Sequence, residues 1–303
     1  MSEHTAAVRA PRRRGYRAGI GGEMLAEFLG TFVLLLLGTA SVAVAVVGLP
    51  GSGRQTSDFG PANWLIISWG WGLAVVFGVY VAGGISGAHI NPAVTLAFAA
   101  RRTFPVKKVL PYWAAQLVGA FCGAAVTYST YRWAIDAANA AEGMTREESL
   151  STYSIFATFP AEYFGGGIWG PLLDQIVGTG ILLLLICALI DTRNLAPASN
   201  LGPFITGLIV VVIGLTFGTN AGYAINPARD FGPRLFTYFE GWGAVALPGT
   251  FDWFSNYWWI PIVGPLIGGI VGALVYDLII SPVLKSRLAA GEGQEEGRAG
   301  EER

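Results

Sequence analysis

Residues 83–93 read Gly-Gly-Ile-Ser-Gly-Ala-His-Ile-Asn-Pro-Ala, and residues 218–228 read Gly-Thr-Asn-Ala-Gly-Tyr-Ala-Ile-Asn-Pro-Ala. Both begin on glycine and end on Ile-Asn-Pro-Ala. Proline preceded by asparagine marks a helix start: the ring presets φ for the first turn, and the asparagine side chain caps it. Each stretch lies inside a run without a single charged residue. Phe59 to Ala100 is 42 residues long and Asn194 to Ala228 is 35. As one helix the longer run would extend roughly 63 Å, about twice a bilayer's hydrocarbon core. Each run therefore holds a full span, a non-helical segment and a new short helix. Non-helical backbone at membrane depth is tolerated only where it is buried or lines a polar cavity.

Composition agrees with a membrane protein. Of 303 residues, 53% are hydrophobic and 13% charged, against about 25% charged in soluble domains. The first and last 22 residues hold 15 of the 39 charges, so residues 1–22 and 283–303 read as disordered tails around a membrane domain at 23–282. A net charge of −1 gives no basic field for nucleic acid. Cys122 and Cys187 both lie in apolar stretches, which gives neither a disulfide framework nor a zinc pattern. No HExxH and no Ser/His/Asp arrangement suggests an enzyme. No metal or cofactor is expected.

Four further spans follow from charge-free segments: roughly 24–48, Val109 to Tyr131, Gln175 to Ile190 extended upstream, and Trp253 to Tyr276. The halves echo each other. Glu27-Phe28-Leu29-Gly30-Thr31 corresponds to Gln175-Ile176-Val177-Gly178-Thr179. Tyr112-Trp113, Val118-Gly119 and Gly123 recur as Tyr257-Trp258, Val263-Gly264 and Gly268. Each half, near 23–133 and 171–282, holds three spans and one re-entrant half-helix. Three is odd, so the repeat is inverted and its broken helices meet near the midplane. With both tails inside, 14 of 19 Lys and Arg residues are cytoplasmic, as the positive-inside rule asks. The polar region 134–170 reads as an outer loop.

Two half-helices entering from opposite faces point their N-termini at one another. Each carries unpaired N–H groups and roughly half a positive charge, which disfavours cations and protons. Asn91 and Asn226 each cap a helix and keep amide donors for a passing oxygen. Segments 84–90 and 218–225 can present carbonyl acceptors. A neutral hydroxylic molecule needs such a ladder to replace its hydration; an ion needs more. Arg229, a lone arginine at the end of an apolar run, is expensive there and so reads as functional.

Ser86-Gly87-Ala88-His89-Ile90-Asn91-Pro92-Ala93-Val94-Thr95 and Gly222-Tyr223-Ala224-Ile225-Asn226-Pro227-Ala228-Arg229 resemble the paired signature loops of the major intrinsic protein family, the aquaporins and glycerol facilitators. The resemblance spans about residues 22–282. It implies an all-α membrane protein of six tilted spans and two half-helices, one pore per subunit, and a homotetramer in the cell membrane. It also implies a selectivity filter of Trp71, Gly214, Tyr223 and Arg229. Gly214 stands where water-selective members place a histidine, and its lack of bulk leaves room for a carbon backbone. Trp71 and Tyr223 can face CH groups while Arg229 faces OH groups. Glycerol facilitators often have phenylalanine at the Tyr223 position, so its hydroxyl is a departure that could narrow the constriction or add a polar contact. The family generally has glutamate at the Glu27 and Gln175 positions, accepting from loop N–H groups; Gln175 departs from this. Asp230, with Arg234 four residues on, resembles the glycerol branch and can hold its half-helix. His89 either supports the loop or lines the inner vestibule.

The function expected is a passive channel for glycerol and small neutral solutes, with water. A water-selective channel is the nearer alternative. A coupled transporter is the remoter one, because the ionisable residues Glu27, Asp174, Arg229, Asp230 and Asp277 lie near span ends or loops.

Overall fold

The computed structural model describes residues 16–54 and 61–290, and the regular elements among those residues are helices. Among the described residues, six helices are long and apolar enough to cross a membrane. The main helices are α1 (Ile20–Ala43), α2 (Pro61–Ser86), α3 (Pro92–Ala100), α4 (Val109–Glu142), α5 (Trp169–Ile190), α6 (Gly202–Ala221), α7 (Pro227–Thr237) and α8 (Ile260–Val275). Helices α3 and α7 are the two short ones that follow Asn-Pro-Ala. Their apolar neighbours α2 and α6 stop at Ser86 and Ala221, so both overlong runs break where the glycines fall.

Glycine spacing sets which spans touch. A methyl group at Gly268 or Gly272 would overlap the carbonyls of Ile176 and Gly180, and one at Gly264 would sit 2.6 Å from Gln175 Cβ. The glycine stripe of α8 thus receives the backbone of α5. The other half repeats the arrangement, with Gly119 against the Phe28 carbonyl and Gly123 against Leu35 on α1. Close approach of this kind replaces hydrophobic burial as the packing force between helices in lipid. The half-helices then cross over. Gly232 of α7 meets Ala120 of α4, and Gly269 of α8 meets Ala93 of α3. Each half-helix is therefore wedged against the third span of the opposite half.

Several boundaries differ from the sequence reading. Helix α1 starts at Ile20, and the last helical segment runs to Ala290, so residues 20–22 and 283–290 are helical extensions of spans. The remaining tail residues, 1–15 and 291–303, lie outside the described residues. Helix α4 continues to Glu142, where Gly143 at φ 67° ends it, because the alanine-rich stretch 134–141 has strong helix propensity. The outer loop is correspondingly shorter than 134–170. At the end that holds Arg101, Lys108 and Arg193, ion pairs tie the helices together: Arg101–Asp277 and Lys108–Glu23, both at 2.7 Å. Arg193 hydrogen bonds hold the Asp191 carboxyl below the usual carboxylate range.

Candidate functional site: the pore

The two half-helices meet at their caps. Asn91 Oδ1 accepts from Ala93 N at 2.8 Å, and Asn226 Oδ1 accepts from Ala228 N at 3.1 Å and Arg229 N at 3.2 Å. The amide nitrogens cross over. Asn91 Nδ2 donates to the Ile225 carbonyl and Asn226 Nδ2 to the Ile90 carbonyl, both at 2.9 Å. Each side-chain amide has two N–H groups, and one of them locks the loops together. Pro92, Ala93, Pro227 and Ala228 form the first turns behind these caps, and all four are buried.

The loops before the caps hold a strained backbone. Ala88, Ile90, Tyr223 and Ile225 have φ of 49°, 42°, 35° and 44°, a region that β-branched and bulky residues seldom adopt. Such strain persists only when surrounding contacts over-determine it, and Glu27 supplies those of the first loop. Its Oε1 accepts from Ser86 Oγ at 2.6 Å and His89 N at 2.9 Å. Its Oε2 accepts from Ile90 N at 2.7 Å and Gln116 Nε2 at 2.8 Å. All four partners are donors, which suits a carboxylate.

Gln175 works differently. Its Oε1 accepts from Ile225 N at 3.0 Å, while its Nε2 donates to the Ala221 carbonyl at 3.0 Å and toward Asp174 Oδ2 at 3.5 Å. Asp174 also accepts from Asn220 Nδ2 at 2.9 Å. The charge missing from position 175 thus stands one residue earlier, on a side chain that is itself buried. Sequence offers Asp174 only as a candidate for ion coupling near a span end, and its place beside Gln175 and Asn220 is shown by the structure.

His89 is held on both sides of its ring. Nδ1 lies 3.1 Å from Thr95 Oγ1, the ring packs among Phe98, Phe104 and Tyr112, and the residue also lines the cavity below the caps.

Two cavities, of about 540 and 550 Å³, occupy the pore on either side of a constriction. Trp71, Tyr223 and Arg229 line both. The Arg229 guanidinium carbon lies 3.8 Å from the centre of the Trp71 ring, and Nη1 reaches the Phe156 carbonyl at 3.5 Å. Gly214 lies behind Tyr223. A methyl group there would come 3.0 Å from Tyr223 Cζ and 3.1 Å from Ser68 Oγ. The space opened by glycine is therefore largely taken by the tyrosine ring, which corrects the expectation that it widens the pore outright.

Asp230 sits outside the pore wall, wholly buried, with Arg234 Nε at 2.7 Å. Its other oxygen accepts from Thr158 N at 2.8 Å and Thr158 Oγ1 at 2.6 Å, and Arg234 Nη2 donates to the Thr158 carbonyl at 2.7 Å. The pair clamps the outer segment around Thr158 onto α7, and the same segment presents the Phe156 carbonyl to Arg229. Sequence could offer Asp230 and Arg234 from their i, i+4 spacing; nothing in it pointed to Thr158.

Residues 17–276 match the Major intrinsic protein family. The chain is 43% identical over 255 residues to aquaporin-10 of Milnesium tardigradum, covering 80% of this chain and 59% of that relative. It is 38% identical over 277 residues to a glycerol uptake facilitator protein of Pseudomonas aeruginosa, covering 91% of this chain and 94% of the facilitator. The solved aquaglyceroporin from Plasmodium falciparum superposes with a TM-score of 0.74 at 32% identity, over 88% of this chain and 99% of that one. Broken spans, capped half-helices meeting head to head and a constriction beside the second cap have the same origin as these likenesses: the chain belongs to the major intrinsic protein family.

Proposed function

We propose that the chain conducts glycerol and related small neutral solutes, with water, passively across the cell membrane while excluding ions and protons. The observation that carries this reading is the constriction. Trp71 and Tyr223 offer ring faces to CH groups, and Arg229, stacked on Trp71, keeps N–H donors for hydroxyls. An amphipathic polyol matches a wall that is apolar on one side and donating on the other. The relatives named for glycerol support the same substrate class. Trp71, Gly214, Tyr223 and Arg229 serve as the selectivity filter, and the paired Asn-Pro-Ala turns as the pore centre. Exclusion of cations follows from two helix N-termini facing each other together with the arginine. The assembly is a homotetramer in the bilayer with both termini cytoplasmic, and no chemical reaction is catalysed.

One observation favours a water-selective channel instead: the Tyr223 ring fills the space beside Gly214. Stopped-flow swelling of proteoliposomes in water, glycerol, urea and larger polyols separates the two. Glycerol entry down its gradient, independent of pH and sodium, supports the proposal. Water flux alone supports the alternative, and uphill uptake driven by protons or sodium overturns both.

A further inference from the structure

The Tyr223 ring lies in a cradle made by residues outside the filter. Gly214 and Gly218, one turn apart on α6, form its floor. A methyl group at Gly218 would come 2.7 Å from Tyr223 Cδ1 and 2.6 Å from Trp64 Cζ2. Trp64 closes one side, edge-on to the ring with centroids 6.2 Å apart. Its indole Nε1 donates to the Gly214 carbonyl at 3.0 Å, which fixes the indole to the same helix. Ser68 closes the end. Its hydroxyl stands at Gly214 beside the Cζ end of the Tyr223 ring, and the hydroxyls of both residues are buried. The tyrosine hydroxyl is thus shut away from both cavities, although the residue lines them.

We propose that Trp64, Ser68 and Gly218 are positioning residues for selectivity, holding the Tyr223 ring back against α6 with its hydroxyl stowed, so that permeants meet a ring face and not a phenol. Well-packed surroundings accept an added methyl group only by displacing a neighbour. At Gly218 the neighbours are Trp64 and Tyr223. Both rings border the second cavity, but Trp64 is anchored to α6 by its hydrogen bond, so Tyr223 is the one that moves, into the constriction. Larger solutes then suffer more than water.

This inference rests on Tyr223 lining the constriction. Its test is the glycerol-to-water permeability ratio of full-length protein in proteoliposomes, normalised to the amount of channel. In Gly218→Ala the ratio should fall about tenfold, the discrimination typical of one methylene in a tight pocket. Trp64→Phe, which keeps the aromatic edge and loses the indole donor, should shift it the same way by less. In a Tyr223→Ala background, adding Gly218→Ala should no longer lower the ratio. A merely structural role would lower both permeabilities together and leave the ratio alone, and that result overturns the proposal. So does a Gly218→Ala effect that persists without the tyrosine. If Gly218→Ala fails to fold, Trp64→Phe with and without Tyr223→Ala decides on the same criterion. If the unaltered protein conducts water only, the proposed substrate is wrong, but the cradle remains testable: Gly218→Ala should then reduce water permeability and Tyr223→Ala should restore it.

Discussion

Arg229 holds its guanidinium carbon 3.8 Å above the centre of the Trp71 ring. The ring face attracts the cation, Nη1 reaches the Phe156 carbonyl, and the remaining N–H groups point along the edge of the guanidinium plane, where a permeant oxygen can meet them. Lysine keeps the charge but has neither the plane nor the fork. Arg229→Lys should therefore lower glycerol permeability more than water permeability. Losing one hydrogen bond to a charged group is worth about 1.5 kcal/mol, or roughly tenfold. Stopped-flow measurements with both solutes check this, and an equal loss of both would remove Arg229 from the filter.

Glu27 and Gln175 occupy matching places in the two halves but do opposite chemistry, so exchanging their types should fail in both directions. Glu27→Gln turns an amide N–H toward a ring of four donors. Gln175→Glu sets a carboxylate against the Ala221 carbonyl and beside Asp174. Both variants should unfold at lower temperature in detergent, with Glu27→Gln losing about 2 kcal/mol through an unsatisfied buried group. Asp174→Asn should partly rescue Gln175→Glu by removing the like charge. Absence of rescue would mean that the two side chains do not share one site.

These cases also mark how far sequence carried. The two overlong runs, Phe59 to Ala100 and Asn194 to Ala228, gave away the broken spans because length is an arithmetic constraint. The matched glycines 123 and 268 marked the internal repeat, while the backbones they receive on α1 and α5 came from the structure. Arg229 was legible because charge at the end of an apolar run needs a reason, and Glu27 because its position matches one that the resembled family fills with glutamate. The cradle of Tyr223 was not legible: Trp64 and Ser68 are ordinary residues in a span, and only the placement of α6 against α2 gives them a role. The outer segment near Thr158 was opaque for a similar reason. Its backbone is pinned by partners on α7 that lie more than 70 residues away in sequence.

Asp230 and Arg234 form a fully buried ion pair. Removing one partner strands the other in a place that water does not reach, at a cost of about 3–5 kcal/mol. Asp230→Asn should therefore reduce the yield of monodisperse protein sharply. Asp230→Leu combined with Arg234→Met should be milder than either single change, because no charge is left unpaired. Thermal unfolding followed by tryptophan fluorescence ranks the three. If the double variant is the worst, the pair's main contribution is the clamp on Thr158 and not charge neutralisation.

Gly272 and Gly84 make opposite predictions from the same substitution. A methyl group at Gly272 would overlap the Gly180 carbonyl, whereas at Gly84 nothing lies within 4 Å. Both are helical, so alanine gains about 1 kcal/mol of intrinsic helix preference at each. At Gly84 that gain stands alone, and Gly84→Ala should match or slightly raise the unfolding temperature. At Gly272 it is outweighed, because the backbones of α5 and α8 must separate to admit the methyl group and a contact held by packing alone is lost. Gly272→Ala should lower the unfolding temperature and broaden the size-exclusion peak. Equal behaviour of the two variants would mean that the α5–α8 contact is looser than its glycine register requires.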